Sequence, residues 1–524
     1  VKKLANFSHL IIQMSWGLLF GLTLYFAWTS TNFIIGDNAT FGTSTTAVTT
    51  TFVLTLLAVI IGLLSYQPLR HWAYTVFVRH QYWTAGLLIS LTIIWQIIFV
   101  TAVHPVSGFD AGMLHYAAVN PQHVQEFAVR GYFSVNQNNL PIMLLMRQIV
   151  VVTGQTSWQF FDYLTLVLVD LSALFNLLTI AVLNRRTLGI GLYLHAAWLA
   201  VFPSILMPYT DAWVLPVVSL TLLIVAIVTH NQFPLLVRGG CTILLGPTLV
   251  ATYFLKPSAI IPVIAMLVVA GLWWLSHNCR WHGPTLALSV MVLVLTVDGA
   301  WLSYRVTNQA VQHQTYIQID RARAIPAIHF MAMGVYGEGG YSEKQAVAMA
   351  ALPTKKQKTA YSRKKLVKRL KQLGPWGYAK FLFKKQRNNT ADGTFGWLKE
   401  GHFFRDNQKP SQRGFANQIK NYIYLYGEHI ADFRFIAQAW WIGLLTLIAL
   451  GWGSKRPFDE ILRLSLVGTF LFLLLFEGGR SRYLIQALPC FLILASLRTP
   501  RSWHHLVRFK DWFNGTRPSP ANSN

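Results

Sequence analysis

Two carboxylates and a few cations stand where long apolar stretches end, and these are the residues with chemistry to offer. His104-Pro-Val-Ser-Gly-Phe-Asp110-Ala-Gly follows one such stretch, and Pro208-Tyr-Thr-Asp211-Ala-Trp opens another. A carboxylate placed there can accept a proton from a bound hydroxyl, which is general-base work. It can equally cap a helix N-terminus, and spacing does not separate the two roles for either residue. Positive charge sits in two short turns, Lys256-Pro-Ser and Phe476-Glu477-Gly-Gly-Arg480-Ser-Arg482-Tyr483. Arginine offers paired hydrogen bonds to phosphate oxygens. The competing reading is an internal Glu477–Arg pair with Tyr483 as an interfacial anchor. Lys256 can pair with a lipid phosphate or simply snorkel. His329 lies in the Gly-rich stretch Ile325-Pro-Ala-Ile-His329-Phe-Met-Ala-Met-Gly334-Val-Tyr-Gly337-Glu-Gly-Gly340 and is a weaker candidate, since a lone histidine is usually a satisfied structural group.

Membrane helices must position these residues. The chain has 524 residues, 53% hydrophobic and only 12% charged, where soluble proteins carry roughly 25% charged residues. The apolar residues come in blocks of about 17–22, the length that crosses a bilayer. This excludes a soluble enzyme, a secreted disulfide scaffold and a disordered chain. Spans are expected near 9–28, 51–67, 83–103, 162–183, 190–206, 211–229, 239–255, 258–276, 284–303, 434–452, 461–477 and 483–497. A further apolar segment, 139–154, is short and carries Arg147 and Gln148 in its middle. The expected fold class is an all-α polytopic membrane protein. It has about 12 transmembrane helices, one interfacial or re-entrant helix and a mostly helical extracytoplasmic segment. Lys2 and Lys3 precede an apolar run without a small-residue cleavage site, so that run is expected to be a retained helix.

Sidedness follows from basic residues in short loops. Arg70, His71, Arg79, His80, Arg185, Arg186, Arg280, Lys455, Arg456, Arg498, Arg501 and Arg508 fall on one side only if 139–154 does not cross. Both termini are then expected to be cytoplasmic, and 104–161 and 304–433 lie outside. The expected division is 1–82 as two leading helices, 83–303 as a membrane core, 304–433 as a basic outer segment, 434–497 as C-terminal helices and 498–524 as a tail. Residues 305–433 hold 22 Lys+Arg against 8 Asp+Glu, a net +14 of the whole chain's +25. Long loops cross regardless of charge, so this does not break the rule. Lys355 to Lys371 holds nine basic residues and no acid, with Leu366, Val367, Leu370 and Leu373 on one face. This reads as an amphipathic helix on anionic headgroups or as a solvated basic face. Gly374-Pro-Trp-Gly-Tyr378 breaks it from a second helix. Nucleic acid is not expected as a partner. Cys241, Cys279 and Cys490 lie in or beside spans without CxxC spacing, so no metal site or disulfide framework is read from them.

Taken together, these segments resemble the GT-C superfamily of membrane glycosyltransferases, and within it the bacterial members that take sugar from a polyprenyl-phosphate donor. The resemblance covers roughly 83–497 and rests on order and context. Asp110 occupies the place of the acidic residue in the first large outer loop. Tyr132 to Pro141, with Asn138-Asn139, resembles a Tyr…Asn-Asn segment followed by an interfacial helix. Pro208-Tyr-Thr-Asp211, Leu255-Lys-Pro-Ser, Ile325-Pro…His329-Phe…Met-Gly and Glu477…Arg480-Ser-Arg482-Tyr483 resemble further elements in the same order. No second acid follows Asp110, Phe330 stands where Trp is commoner, and Trp440-Trp441 is followed by Ile. The last departure disfavours en bloc oligosaccharide transfer. The two leading spans look like an addition before the core.

The resemblance implies a monosaccharide on undecaprenyl phosphate as donor and an inverting displacement in which Asp110 deprotonates the acceptor hydroxyl. Arg480, Arg482 and Lys256 would face the leaving phosphate, with His329 a weaker contributor and Tyr483 beside them. Asp211 would bind sugar hydroxyls or orient a basic neighbour. No cofactor is implied with certainty. A divalent metal is left open, since two isolated Asp residues supply too little coordination. The acceptor is left open among a teichoic acid, another wall polysaccharide, a glycolipid and a protein. The rival readings are a polyprenyl-lipid flippase or transporter and a non-catalytic scaffold for envelope assembly.

Overall fold

The computed structural model describes residues 2–104, 106–201, 207–230, 232–276, 283–395, 409–453 and 456–513. It is an all-α polytopic membrane protein. Among the described residues the only sheet is a two-residue ladder pairing Asp37 with Ser44 and Asn38 with Thr43. Among the described residues ten segments are long and apolar enough to cross a membrane. The expected span 162–183 and the described part of 190–206 share one of these segments, and 461–477 lies largely in a helix outside them. Trp158–Asn184 and Leu188–Val201 are joined by a single tight turn, Arg185–Thr187, and form one 44-residue apolar stretch. Helix Pro457–Leu475 carries Asp459, Glu460 and Arg463 near its start. Those charges are paired inside the bundle: Arg498 donates to Asp459, and His9 Nδ1 lies 3.0 Å from Glu460 Oε1. Residues 202–206, Arg280, Cys279, Lys455 and the expected tail 514–524 lie outside the described residues.

Segment 139–154 forms helix Leu140–Thr153, 14 residues that end at Gly154 with φ 70°. At 1.5 Å per residue it reaches about 21 Å, short of the ~30 Å hydrocarbon core. Its inner face is Leu140, Ile142, Met143, Met146 and Val150. Arg147 is satisfied by the Ala118 carbonyl at 3.3 Å and lies 5.1 Å over the Tyr316 ring. The basic run forms helix Lys355–Thr390, which kinks at Gly374 (φ 60°, ψ 178°), where the Gly-Pro break is expected.

The core is built around the last helix, Leu488–Phe513, whose residues 490–495 are fully buried. Helices Ile430–Leu450, Trp158–Asn184, Leu188–Val201 and Pro457–Leu475 pack on it. Cys490 is therefore a core side chain. Asp170, in mid-span, accepts a hydrogen bond from Gln96 Nε2 of a neighbouring helix at 3.1 Å. The two leading helices differ sharply. Lys2–Trp28 buries Trp16, Phe20, Phe26 and Ala27 and packs against helices Ile261–Ser276, Lys355–Thr390, Ile430–Leu450 and Pro457–Leu475. Ala47–Ser65 is largely exposed along its length but pinned at its start. The Asp432 carboxylate accepts from the backbone N–H groups and hydroxyls of Thr46 and Thr49 at 2.6–3.2 Å. The first helix is thus part of the core, and the loop after it reaches the site described next.

Candidate active site

Asp110 lies in the first turn of helix Phe109–Val119, but Gly108 takes the cap position and the Asp110 side chain does not cap. Instead Tyr132 Oη donates to Asp110 Oδ1 at 2.7 Å, and Tyr209 Oη lies 3.3 Å from Oδ2. Phe109, immediately before it, has φ 50°. That is a left-handed conformation a bulky side chain rarely adopts, and such strain costs of order 1–3 kcal/mol. Tyr132 comes from helix Phe127–Val135 and is fixed in turn by Asn139, whose Nδ2 donates to its hydroxyl at 2.6 Å. Asn138 Nδ2 donates to Asn139 Oδ1 at 3.1 Å, so the Asn-Asn pair orients the phenol. Burial, reinforced by the negative charge of Asp110, holds the Tyr132 phenol well above its usual range, so it remains a donor. The Asp110 side chain itself is 35% exposed and opens onto a cavity.

Asp211 lies in the short helix Thr210–Trp213, capped by Tyr209, and is 1% exposed. Its carboxylate accepts from Lys256 Nζ, at the end of helix Leu235–Leu255. Lys256 also lies 5.6 Å from the centroid of the Tyr483 ring, and the Arg482 guanidinium lies 5.1 Å from the same centroid. Arg482 approaches Asp110 Oδ2 to 4.0 Å, an attraction too long for a hydrogen bond. Tyr483 Oη donates to Glu477 Oε1 at 2.9 Å. Burial raises the Glu477 carboxyl above its ordinary value, against the pull of Tyr483, Arg482 and Arg480.

The turn that carries these groups is held from below by helix Lys355–Thr390. Lys385 is buried and donates to the carbonyls of Gly334 (2.7 Å), Leu474 (3.1 Å) and Phe476 (2.6 Å). One helical turn on, Asn389 Oδ1 accepts from Gly479 N at 2.6 Å. The close approach explains the Gly-rich stretch: a Cβ at Gly334 would lie 2.5 Å from the Phe476 carbonyl oxygen, and Gly479 adopts φ 76° against the Glu338 carbonyl. Burial, partly offset by Glu477, lowers the Lys385 ammonium to about 7. Below that pH three N–H groups match three carbonyls. Above it one proton and the charge are lost, and the turn loosens. Hydrogen-exchange protection of this turn is therefore expected to fall as pH rises through about 7, where an ordinary lysine would stay charged past pH ~10. Near-isosteric Lys385→Met removes a charged hydrogen-bond hub of about 1.5–3 kcal/mol, so a pH profile should show protection factors in this turn down roughly tenfold or more with the limb near 7 flattened. An unchanged limb in the variant would assign it to another group.

Asp110, Lys256, Arg480, Arg482 and Tyr483 line one cavity of about 1590 Å³, with Asp211 directly behind Lys256. His329 is not brought to it. Its side chain is buried against Ser362 Oγ at 3.0 Å, while its neighbour Phe330 faces the cavity. Burial lowers His329 to about 4, so it is neutral and supplies no positive charge there. Sequence reasoning missed the far wall of the cavity, where Thr31, Asn32, Phe41, Asp392 and Arg434 stand. Among the described residues no group of three or more His, Cys, Asp or Glu is placed to hold a metal ion.

A family model described as "Conserved hypothetical integral membrane protein" matches residues 4–503. No curated protein matches the sequence. Among solved structures, the crystal structure of ArnT from Cupriavidus metallidurans bound to undecaprenyl phosphate is similar at 15% identity, covering 82% of this chain and 79% of that one, with a TM-score of 0.27.

Proposed function

We propose that this chain, which belongs to the family of conserved hypothetical integral membrane proteins, is a membrane glycosyltransferase that moves a monosaccharide from an undecaprenyl-phosphate donor to an acceptor hydroxyl on the extracytoplasmic side. One observation carries the reading: a half-open carboxylate, Asp110, faces Arg482 across 4.0 Å in a cavity that also holds Lys256, Arg480 and Tyr483. A base and a cation cluster lining one cavity are what displacement of a phosphate by a hydroxyl requires.

The acceptor oxygen attacks the anomeric carbon and its proton passes to Asp110. The bond from that carbon to the phosphate oxygen breaks with its electron pair, and undecaprenyl phosphate leaves. A single displacement inverts the anomeric centre. Phosphate is a stable leaving group, so no general acid is needed, but negative charge grows on it and calls for cations held in place beforehand. Arg480, Arg482 and Lys256 supply them. Asp211 keeps Lys256 oriented, and Tyr132 keeps Asp110 oriented without neutralising it. The count of basic residues in short loops supports an outward-facing cavity and cytoplasmic termini.

The test is release of free undecaprenyl phosphate by the purified protein in nanodiscs. The donors are a panel of undecaprenyl-phosphate sugars, and envelope extract is the acceptor. Release with one donor supports the reading and names the sugar. Absence of release with every donor, from folded protein, moves the assignment to lipid flipping or to a scaffold.

A further inference from the structure

The cavity is lined by more than the groups placed around Asp110. Its volume of about 1590 Å³ exceeds the roughly 300–1,000 Å³ that encloses one drug-sized ligand. Its lining includes a second set of polar side chains from three elements distant in sequence, termed the far wall. Asn32 follows the first helix, Asp392 follows helix Lys355–Thr390, and Arg434 lies in helix Ile430–Leu450.

This wall is built rather than merely polar. Asp392 Oδ1 accepts from Asn32 Nδ2 (2.8 Å), Thr394 N (2.8 Å) and Thr394 Oγ1 (2.6 Å). Gln438 locks the same segment: its Oε1 accepts from Gly393 N at 2.8 Å, and its Nε2 donates to the Ala27 and Ala391 carbonyls at 2.8 and 2.9 Å. Asn32 is 5% exposed, yet its Oδ1 has no hydrogen-bond partner among the described residues. Asn388 Nδ2, on the same wall, has none either. Arg434 is 6% exposed, lies 4.2 Å from the Phe41 ring centroid and shares its field with Asp392.

Buried polar atoms without partners call for an explanation, and for side chains that line a cavity a ligand that completes their hydrogen bonding is one. The set here is an amide acceptor, an amide donor, a carboxylate and a guanidinium. A phosphate calls for cations and donors alone. A hydroxyl both donates and accepts, and this mixture suits it. We propose that the far wall is the acceptor subsite, and that it takes a hydroxyl-rich saccharide segment whose nucleophilic hydroxyl extends toward Asp110. Its role as acceptor rests on the transfer reaction proposed above; the binding of saccharide does not.

The experiment uses full-length protein in nanodiscs and saturation-transfer NMR. The probe is a lipid-free oligosaccharide fraction released from envelope extract. Wild type should give saccharide signals. Asp392→Asn combined with Asn32→Ala should raise the half-saturating concentration about tenfold or more while undecaprenyl phosphate binding, read by native mass spectrometry, is unchanged. Asn388→Ala removes an amide with no donor bond to lose, so it guards against a folding defect and should raise it about threefold. Equal saccharide affinity in wild type and both variants, or no wild-type signal, overturns the subsite. Saccharide binding lost in the variants, in a protein that releases no undecaprenyl phosphate from any donor, sustains the subsite and sinks the transfer reading alone.

Discussion

Asp110→Asn is expected to lower single-turnover release of undecaprenyl phosphate by about 10²–10⁴-fold, the range a positioned general base supplies. The substitution keeps shape. An amide oxygen still accepts from Tyr132 Oη, so the 2.7 Å bond that orients the side chain survives. The loss is chemical: the amide cannot take the acceptor's proton. Asp110 is not a buried ion whose neutralisation would relieve or create strain, since about a third of its side chain is open to the cavity. Nor does it cap its helix, because Gly108 does. Helical content and binding of undecaprenyl phosphate should therefore match wild type within a factor of about three. Turnover within that same factor would return Asp110 to a structural role and favour the scaffold.

Much of this candidate site is legible in the sequence because its residues announce themselves locally. Asp110, Asp211, Lys256, Arg480 and Arg482 each interrupt an apolar pattern at its end, and a charge there needs a reason. What spacing left open, whether the carboxylates cap helices, the structure resolves through neighbours: Tyr132 and Lys256 hold them instead. His329 failed for a different reason. Its helix, Ala327–Gly334, is short, and which face meets Ser362 depends on where helix Lys355–Thr390 packs. The same dependence hid Lys385. In the sequence Lys384 and Lys385 are two adjacent members of a basic run, yet the first is exposed and the second is buried on three carbonyls. The far wall was invisible because Asn32, Asp392 and Arg434 are isolated polar residues that only the insertion of the first helix into the core brings together. That helix is less apolar than the exposed one that follows, but its polar residues do not say which neighbours it packs against.

Arg482→Gln should produce the second large loss, about 10²–10³-fold in turnover, the scale seen when one preorganised donor to developing charge is removed. The argument starts from position. The guanidinium is 11% exposed, 5.1 Å from the Tyr483 ring centroid and 4.0 Å from Asp110 Oδ2, with Asp211 and Tyr209 also in its field. In the proposed reaction its charge would face the space between base and leaving group and follow negative charge as that charge moves onto the phosphate. Glutamine keeps hydrogen-bonding capacity and most of the length but carries no charge. Ground-state binding of undecaprenyl phosphate should weaken by only about tenfold, because Lys256 and Arg480 remain. The larger part of the loss should appear in the rate of the bound complex, since stabilisation confined to the transition state lowers turnover and not affinity alone. Arg482→Lys should recover part of the rate, because it restores charge without the planar fork that matches phosphate oxygens. Equal losses in affinity and in overall efficiency, with the bound-state rate intact, would make Arg482 a lipid-phosphate anchor and leave Lys256 and Arg480 to support the leaving group.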